Sequence, residues 1–370
     1  MQIIKGKNKI ANYIYAIAFL LQTLVMVGGY GAWELPYRGR VLQAAFVLFC
    51  LKILMTEYSK AEWISMILLG ILGCVSYFAT GEEYVVSIIV MIFASKSVKM
   101  QKYLKMTLLL ALIVAVLNAV LSVFGIGGMM VDVRDYGRGG IESRWCLGFN
   151  HANNLHGTYW YLLALLFAIY FARITWKHYI VLTVFNVLLY FLTLSKGGFI
   201  AGQLLICCCF VLKKWEKIRY STWIYLLGLF ALAGVVAISF FSVLIPWNES
   251  AILQLLDRMF TGRINLAYQG APIANWHLFA GGGEIGVVDN GWITVFFQYG
   301  YIIGFVYILF QLYLLFKCYQ KKDGVNLVLL TTNTFYTFME ATYTMNNAYY
   351  LCNLSYIVAM IMMGEKHESE

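Results

Sequence analysis

Apolar residues fall in long runs separated by short polar interruptions, and most runs approach the ~20 residues a helix needs to cross a bilayer. The pattern predicts helices over 11–30, 39–56, 62–80, 83–95, 104–126, 155–172, 178–195, 198–212, 221–245, 291–316, 325–341 and 346–363. About twelve spans are expected, with the fourth and eighth short enough for re-entrant or strongly tilted segments. Two stretches break the pattern, 127–154 and 246–290, and the second sets a large loop before the tenth span.

Composition agrees with this reading: 61% of residues are hydrophobic, 12% are charged and only three are Pro. The expected fold class is all-α, a polytopic helical membrane protein forming a single integral membrane domain over residues 1–370. The first run has a basic flank, but its length and the lack of a small-residue cleavage site make it an anchor rather than a signal peptide.

Charge sets the orientation. With both termini on the cytoplasmic side, 19 of the 27 Lys and Arg fall in cytoplasmic segments, almost all of them Lys, as the positive-inside rule requires. The other eight are Arg38, Arg40, Arg134, Arg138, Arg144, Lys196, Arg258 and Arg263. Topology gives no reason for these external cations. A guanidinium forks onto phosphate or carboxylate oxygens, so the external Arg set points to an anion-handling site on the outer face. The competing reading is contact with lipid headgroups and salt bridges to Asp132, Asp135, Glu142 and Asp257.

Both polar stretches carry candidate chemistry. The external segment 127–154 holds Arg134, Arg138, Arg144 and several Gly, then Asn150, His151, Asn153 and Asn154 at the start of a span. A Gly-rich loop lets backbone amides approach an anion, and a helix start adds free N–H groups. Asn153 or Asn154 could instead cap the helix, whereas Arg144 and His151 are expected to contact ligand. The segment 246–290 is too long for a simple connection. Leu253, Leu255, Leu256, Met259, Phe260, Ile264, Leu266 and Tyr268 predict one amphipathic helix, lying on the membrane or over a cavity, that projects Arg258 and Arg263 over the site. His277 and Asp289 follow. Lys196 stands between two spans beside Gly197 and Gly198, where it either snorkels or, with close backbone approach, meets a polar ligand.

Most of the eight Cys lie in predicted spans, and Cys146 alone falls in an outer loop, so no external disulfide is expected within the chain. Metal-ligand spacings such as CxxC and HExxH do not occur. Asp and Glu are nearly absent from the spans, with Glu340 near an outer helix end and Glu62 near an inner one. Neither proton-relay carboxylates nor an internal duplication is evident, which argues against a transporter.

The segments Leu147-Gly-Phe-Asn-His-Ala-Asn-Asn154, Leu194-Ser-Lys-Gly-Gly-Phe199, Thr261-Gly-Arg-Ile264, Leu278-Phe-Ala-Gly281, Val288-Asp-Asn-Gly-Trp292 and Gln298-Tyr-Gly-Tyr-Ile-Ile-Gly304 follow one another in an order that resembles the Wzy-type polysaccharide polymerases, within the O-antigen polymerase and ligase group. The resemblance covers residues 140 to 305. It implies a GT-C-like arrangement and glycosyl transfer between undecaprenyl-diphosphate-linked oligosaccharides at the outer face of the cytoplasmic membrane, with no cofactor. It also implies contact with membrane lipids and, as further candidate partners, a chain-length regulator and a flippase; nucleic acid is not among them. Arg263 matches the arginine of the external Gly-Arg motif, and Lys196 a position where Arg is common. Asp289 falls where ligases have His and some polymerases have Asp. His151 matches a Gly-Phe-x-His-Pro-Asn pattern, although Ala152 replaces the Pro.

The chemistry of these residues agrees with that implication. Breaking a sugar–phosphate bond leaves a diphosphate whose charge grows in the transition state, and fixed cations such as Arg263 with Arg138, Arg144 or Lys196 would stabilise it. Asp289 is the candidate base, with His277 or His151 behind it, and Arg258 and Asn154 are candidate substrate contacts. The competing role for Asp289 is the N-cap of the tenth span. A lipid-linked glycan ligase and a flippase or exporter of lipid-linked glycans remain the alternative functions.

Overall fold

The computed structural model describes residues 2–28, 37–135, 140–280, 286–341 and 355–363. Its helices are α1 (Gln2–Gly28), α2 (Arg38–Leu54), α3 (Lys60–Thr80), α4 (Tyr84–Ala94), α5 (Met100–Val123), α6 (Ala152–Tyr170), α7 (Trp176–Thr193), α8 (Lys196–Lys214) and α9 (Glu216–Arg219). They continue with α10 (Thr222–Leu244), α11 (Ala251–Met259), α12 (Arg263–Gly270), α13 (Gly291–Lys321), α14 (Gly324–Met339) and α15 (Ser355–Met363). Between α5 and α6 lies a hairpin of β1 (Val131–Asp135) and β2 (Ile141–Trp145). The chain is a helical membrane protein. Eight of the helices, α1, α3, α5, α6, α7, α8, α10 and α13, are long and apolar enough to cross a bilayer.

A described helix lies at each of the twelve predicted positions; α2, α4 and α14 are shorter than a full crossing needs, and α15 is described over Ser355–Met363. The eighth predicted span corrects the expectation. α8 is not short, because its helix includes Lys196 and Gly197 at one end and Lys213 and Lys214 at the other, giving 19 residues.

The chain divides into two compact units, with residues 1–57, 90–214 and 351–370 in the first and 58–89 and 215–350 in the second. In the first, α1 packs on α2 and α5, and the well-buried α6 lies against α5, α7 and α8. A buried polar knot joins the last three helices. His156 of α6 has Nδ1 3.0 Å from the Thr193 hydroxyl and Nε2 3.0 Å from Asn186 Oδ1. That amide oxygen can only accept, so Nε2 carries the proton. A Cβ at Gly198 would lie 2.8–2.9 Å from the His156 side chain, and one at Gly202 would lie 2.8 Å from Asn186 Oδ1. These glycines therefore make room for helix contact.

The segment 127–154 is more ordered than the expected Gly-rich loop. β1 and β2 pair antiparallel, with Asp132 opposite Arg144 and Arg134 opposite Glu142. Alternation puts these four charged residues on one face of the ribbon, the only sheet among the described residues.

In the second unit, α10, α13 and α14 pack on one another and α12 packs on α10. The single amphipathic helix expected in 246–290 is two helices. Thr261 at φ 57° and Gly262 at φ 84° turn the chain between them, and the Asp257 carboxylate accepts from the Ile264 and Asn265 amides at 2.9 Å each, holding the corner. Beyond α12, Trp276 is buried among Val243, Ala267, Ala271, Ile293, Phe296 and Phe297, so the loop packs into an apolar core shared with α10 and α13.

α13 is interrupted at Gly300, which adopts φ 80°, ψ 175°. The break turns two amides away from helical partners. Tyr301 N donates to His277 O at 3.0 Å and Ile302 N donates to Leu278 O at 3.1 Å. Two of the motifs read from the sequence, around Leu278 and around Gly300, thus dock on each other.

Candidate functional site

Arg263 is the first residue of α12, and the Thr261–Gly262 turn directs its side chain toward the end of α14. It is buried at 6% exposure, against the expectation that it projects openly over the site. Its Nε donates to Met339 O at 2.6 Å, Nη1 to Phe260 O at 3.2 Å and to the Thr261 hydroxyl, and Nη2 to Glu340 Oε1 at 2.9 Å. Asp289 Oδ2 stands 3.6 Å from Nε. Four of the five guanidinium N–H groups are therefore engaged, and among the described residues no acceptor takes the second one on Nη2.

The carboxylate partners follow from local structure. Glu340 caps the C-terminal end of α14, where the helix dipole and the free Met339 carbonyl already favour a cation. Asp289 precedes α13 but does not cap it. Asn290 does, its Oδ1 accepting from Trp292 N at 3.1 Å and Ile293 N at 3.4 Å. The N-cap role weighed for Asp289 is thus overturned, and its side chain, 35% exposed, is more open than that of Glu340 at 7%.

Other residues of the second unit stand apart from this cluster. Arg258 is exposed on the last turn of α11. His277 is exposed too, and its backbone rather than its ring serves the α13 break. Asp257, weighed as a loop salt-bridge partner, occupies the N-terminal amides of α12 instead. An anion cannot use those amides while the carboxylate holds them.

Within the first unit two of the cations expected on the outer face, Arg134 and Arg144, are paired locally. Arg144 is 2% exposed and its Nε donates to Glu142 Oε2 at 2.9 Å, while Arg134 Nε donates to Asp132 Oδ2 at 2.6 Å. The salt-bridge reading accounts for both geometries. Arg138 lies outside the described residues. His151, expected to contact ligand, is the N-cap of α6, with Nδ1 accepting from Asn153 N at 3.1 Å. Asn154 is half-buried in the first turn. Lys196 is exposed at the start of α8, and the neighbouring Gly198 serves His156 rather than a ligand.

Glu340 as the partner of Arg263, the His156 knot and the Gly300 break did not emerge from the sequence reading. Gly300 alone carried a local signal, as a glycine in the middle of a long apolar run. Among the described residues no three His, Cys, Asp or Glu side chains gather to hold a metal ion. Comparison with protein-family models, with curated proteins and with solved structures finds no match.

Proposed function

We propose that the chain is a membrane glycosyltransferase of the polysaccharide-polymerase type, joining undecaprenyl-diphosphate-linked repeat units at the outer face of the cytoplasmic membrane. Twelve crossings, a GT-C-like arrangement and cytoplasmic termini belong to the same reading. The observation that carries it is the pair Arg263 and Asp289, from two separate motifs, at 3.6 Å.

Such a pair suits glycosyl transfer. The bond from the anomeric carbon to the diphosphate oxygen breaks, and its electron pair leaves with the diphosphate. A hydroxyl oxygen of the acceptor sugar forms the new bond to that carbon, and Asp289 accepts its proton. Arg263 offers its remaining Nη2–H to the leaving diphosphate, and exchanging Glu340 for a diphosphate oxygen would make the contact two-pronged. Fixing of the guanidinium by Met339, Phe260 and Thr261 keeps its reorganisation small as charge develops. Exposed Arg258 is a further candidate contact for the same substrates.

Deleting the gene and examining surface polysaccharide with its lipid-linked precursors tests the reading. Loss of long chains with single repeat units retained is the expected result. Polymer still made on its lipid carrier but not transferred onward would indicate a ligase, and repeat units trapped on the inner leaflet a flippase. In the restored strain, Arg263→Lys should lose most polymerisation, because one ammonium cannot make the forked contact. Near-normal chain length at equal protein level would reduce Arg263 to a structural brace.

A further inference from the structure

The hairpin of β1 and β2 has its polarity reversed relative to a ribbon in water. Its charged face carries the cross-strand pair Asp132 and Arg144, 6% and 2% exposed, and toward the turn the pair Glu142 and half-exposed Arg134. The opposite face carries Val131, Val133, Ile141, Ser143 and Trp145, with exposed Asp135 opposite Ile141 at its turn end. Val133 and Ile141 are 60% and 77% exposed, and Trp145 is exposed beside them. A hairpin facing water on that side would alternate the other way.

Continuity with α5 identifies the solvent of the apolar face. Leu109, Leu112, Val116, Val120 and Val123 form an exposed apolar stripe along α5, which in a membrane-spanning helix meets acyl chains. Phe124, Ile126 and Met129 extend that exposed surface beyond the helix end. The hairpin base does not stand off into water. Gly148 packs so closely on α5 that a Cβ there would lie 2.5 Å from Asn118 O and 3.3 Å from the Ser122 side chain. Cys146 N donates to Met130 O at 2.8 Å and Gly148 N to Met129 O at 3.1 Å, so the strands leave from the level of the last turns of α5.

We infer that the hairpin is a membrane-interface anchor: Val133, Ile141 and Trp145 dip into the leaflet at which α5 ends, with the charged face turned to the protein. Trp favours this zone because its ring is apolar and its N–H polar. Ion pairing satisfies the charges on that face, Arg134 with Asp132 and Arg144 with Glu142, and Arg134 stays half exposed at its turn end. The inference is independent of the proposed reaction and of which side of the membrane α5 ends on.

The test places a bimane label on Ile141→Cys or Val133→Cys in the full chain with its native cysteines replaced, reconstituted in phosphatidylcholine–phosphatidylglycerol vesicles. Leu112→Cys, on the lipid-facing stripe, sets the acyl-chain signal. Phospholipids brominated on their acyl chains should remove about half or more of the intensity at both hairpin positions, and iodide in the buffer should remove little. Full iodide quenching, equal to that of the free dye, overturns the inference. So does protection from both quenchers with cross-linking between copies, which would make this face a protein interface. Where the cysteine-free chain does not fold, the same difference is read against the native chain labelled in parallel.

Discussion

Replacing Gly300 by alanine should undock the long loop from α13. Gly300 holds φ 80°, ψ 175°, a region essentially reserved for glycine, where a side chain costs about 1–3 kcal/mol. Its added Cβ would also meet Phe279 N at 2.6 Å and Ala280 N and Leu278 C at 2.7 Å, all backbone atoms that cannot swing aside. The docked loop supplies two hydrogen bonds, from Tyr301 N and Ile302 N, at about 0.5–1.5 kcal/mol each. Straightening α13 releases the backbone strain and restores helical bonding at those amides, so the variant escapes by expelling residues 277–280. Because helical hydrogen bonds replace the two that docking supplies, the net penalty for staying docked is the strain of about 1–3 kcal/mol plus the clash, which corresponds to an opening equilibrium at least ~5-fold larger. Hydrogen exchange of the peptide covering 271–280 in the reconstituted protein reads this directly, since the His277 amide is bonded to Ala280 O only while the turn is formed. Gly70→Ala, where a Cβ meets nothing within 4 Å, should exchange like the native chain. Native exchange over 271–280 in Gly300→Ala would refute the claim that the break exists to seat the loop.

Glu340→Gln removes the nearer of two anionic partners of a buried guanidinium, a change of about 3–5 kcal/mol that Asp289 and the neutral acceptors hold to the low end, and it should lower thermal stability. The same substitution beside Arg263→Met should cost clearly less, and strict additivity would show that the two side chains do not interact. Because Asn290 supplies the cap, Asp289→Asn and Asp289→Ala should both fold normally, bind lipid-linked substrate and fail to elongate it; native chain length in either excludes Asp289 as the base. Burial, with Asp132 adding to it, raises the Cys146 thiol above its usual range and so reduces the reactive thiolate at neutral pH. Maleimide should label Cys146 only after denaturation, and mass spectrometric detection of modification in the folded protein would contradict that burial.

The apolar periodicity determined the class of molecule and the positions of its helices, because burial in lipid leaves the backbone no alternative to intrahelical hydrogen bonding. It also pointed to helix within 246–290, since Leu253, Ile264 and their apolar neighbours are too hydrophobic to stay in water. Arg263 and Asp289 stood out as residue types suited to an anion and a proton. What each touches was not legible locally. Glu340 reaches Arg263 across 77 positions of sequence, and Asn290 rather than Asp289 caps α13 by a choice between adjacent residues of nearly equal propensity. His151 became a cap and Arg144 an ion pair because their nearest polar partners, Asn153 N and Glu142, were already in place two residues away. Periodicity records which face of an element is apolar. The partner of a buried charge depends instead on where a second element ends, and only the packing of α12 beside the C-terminus of α14 decided that.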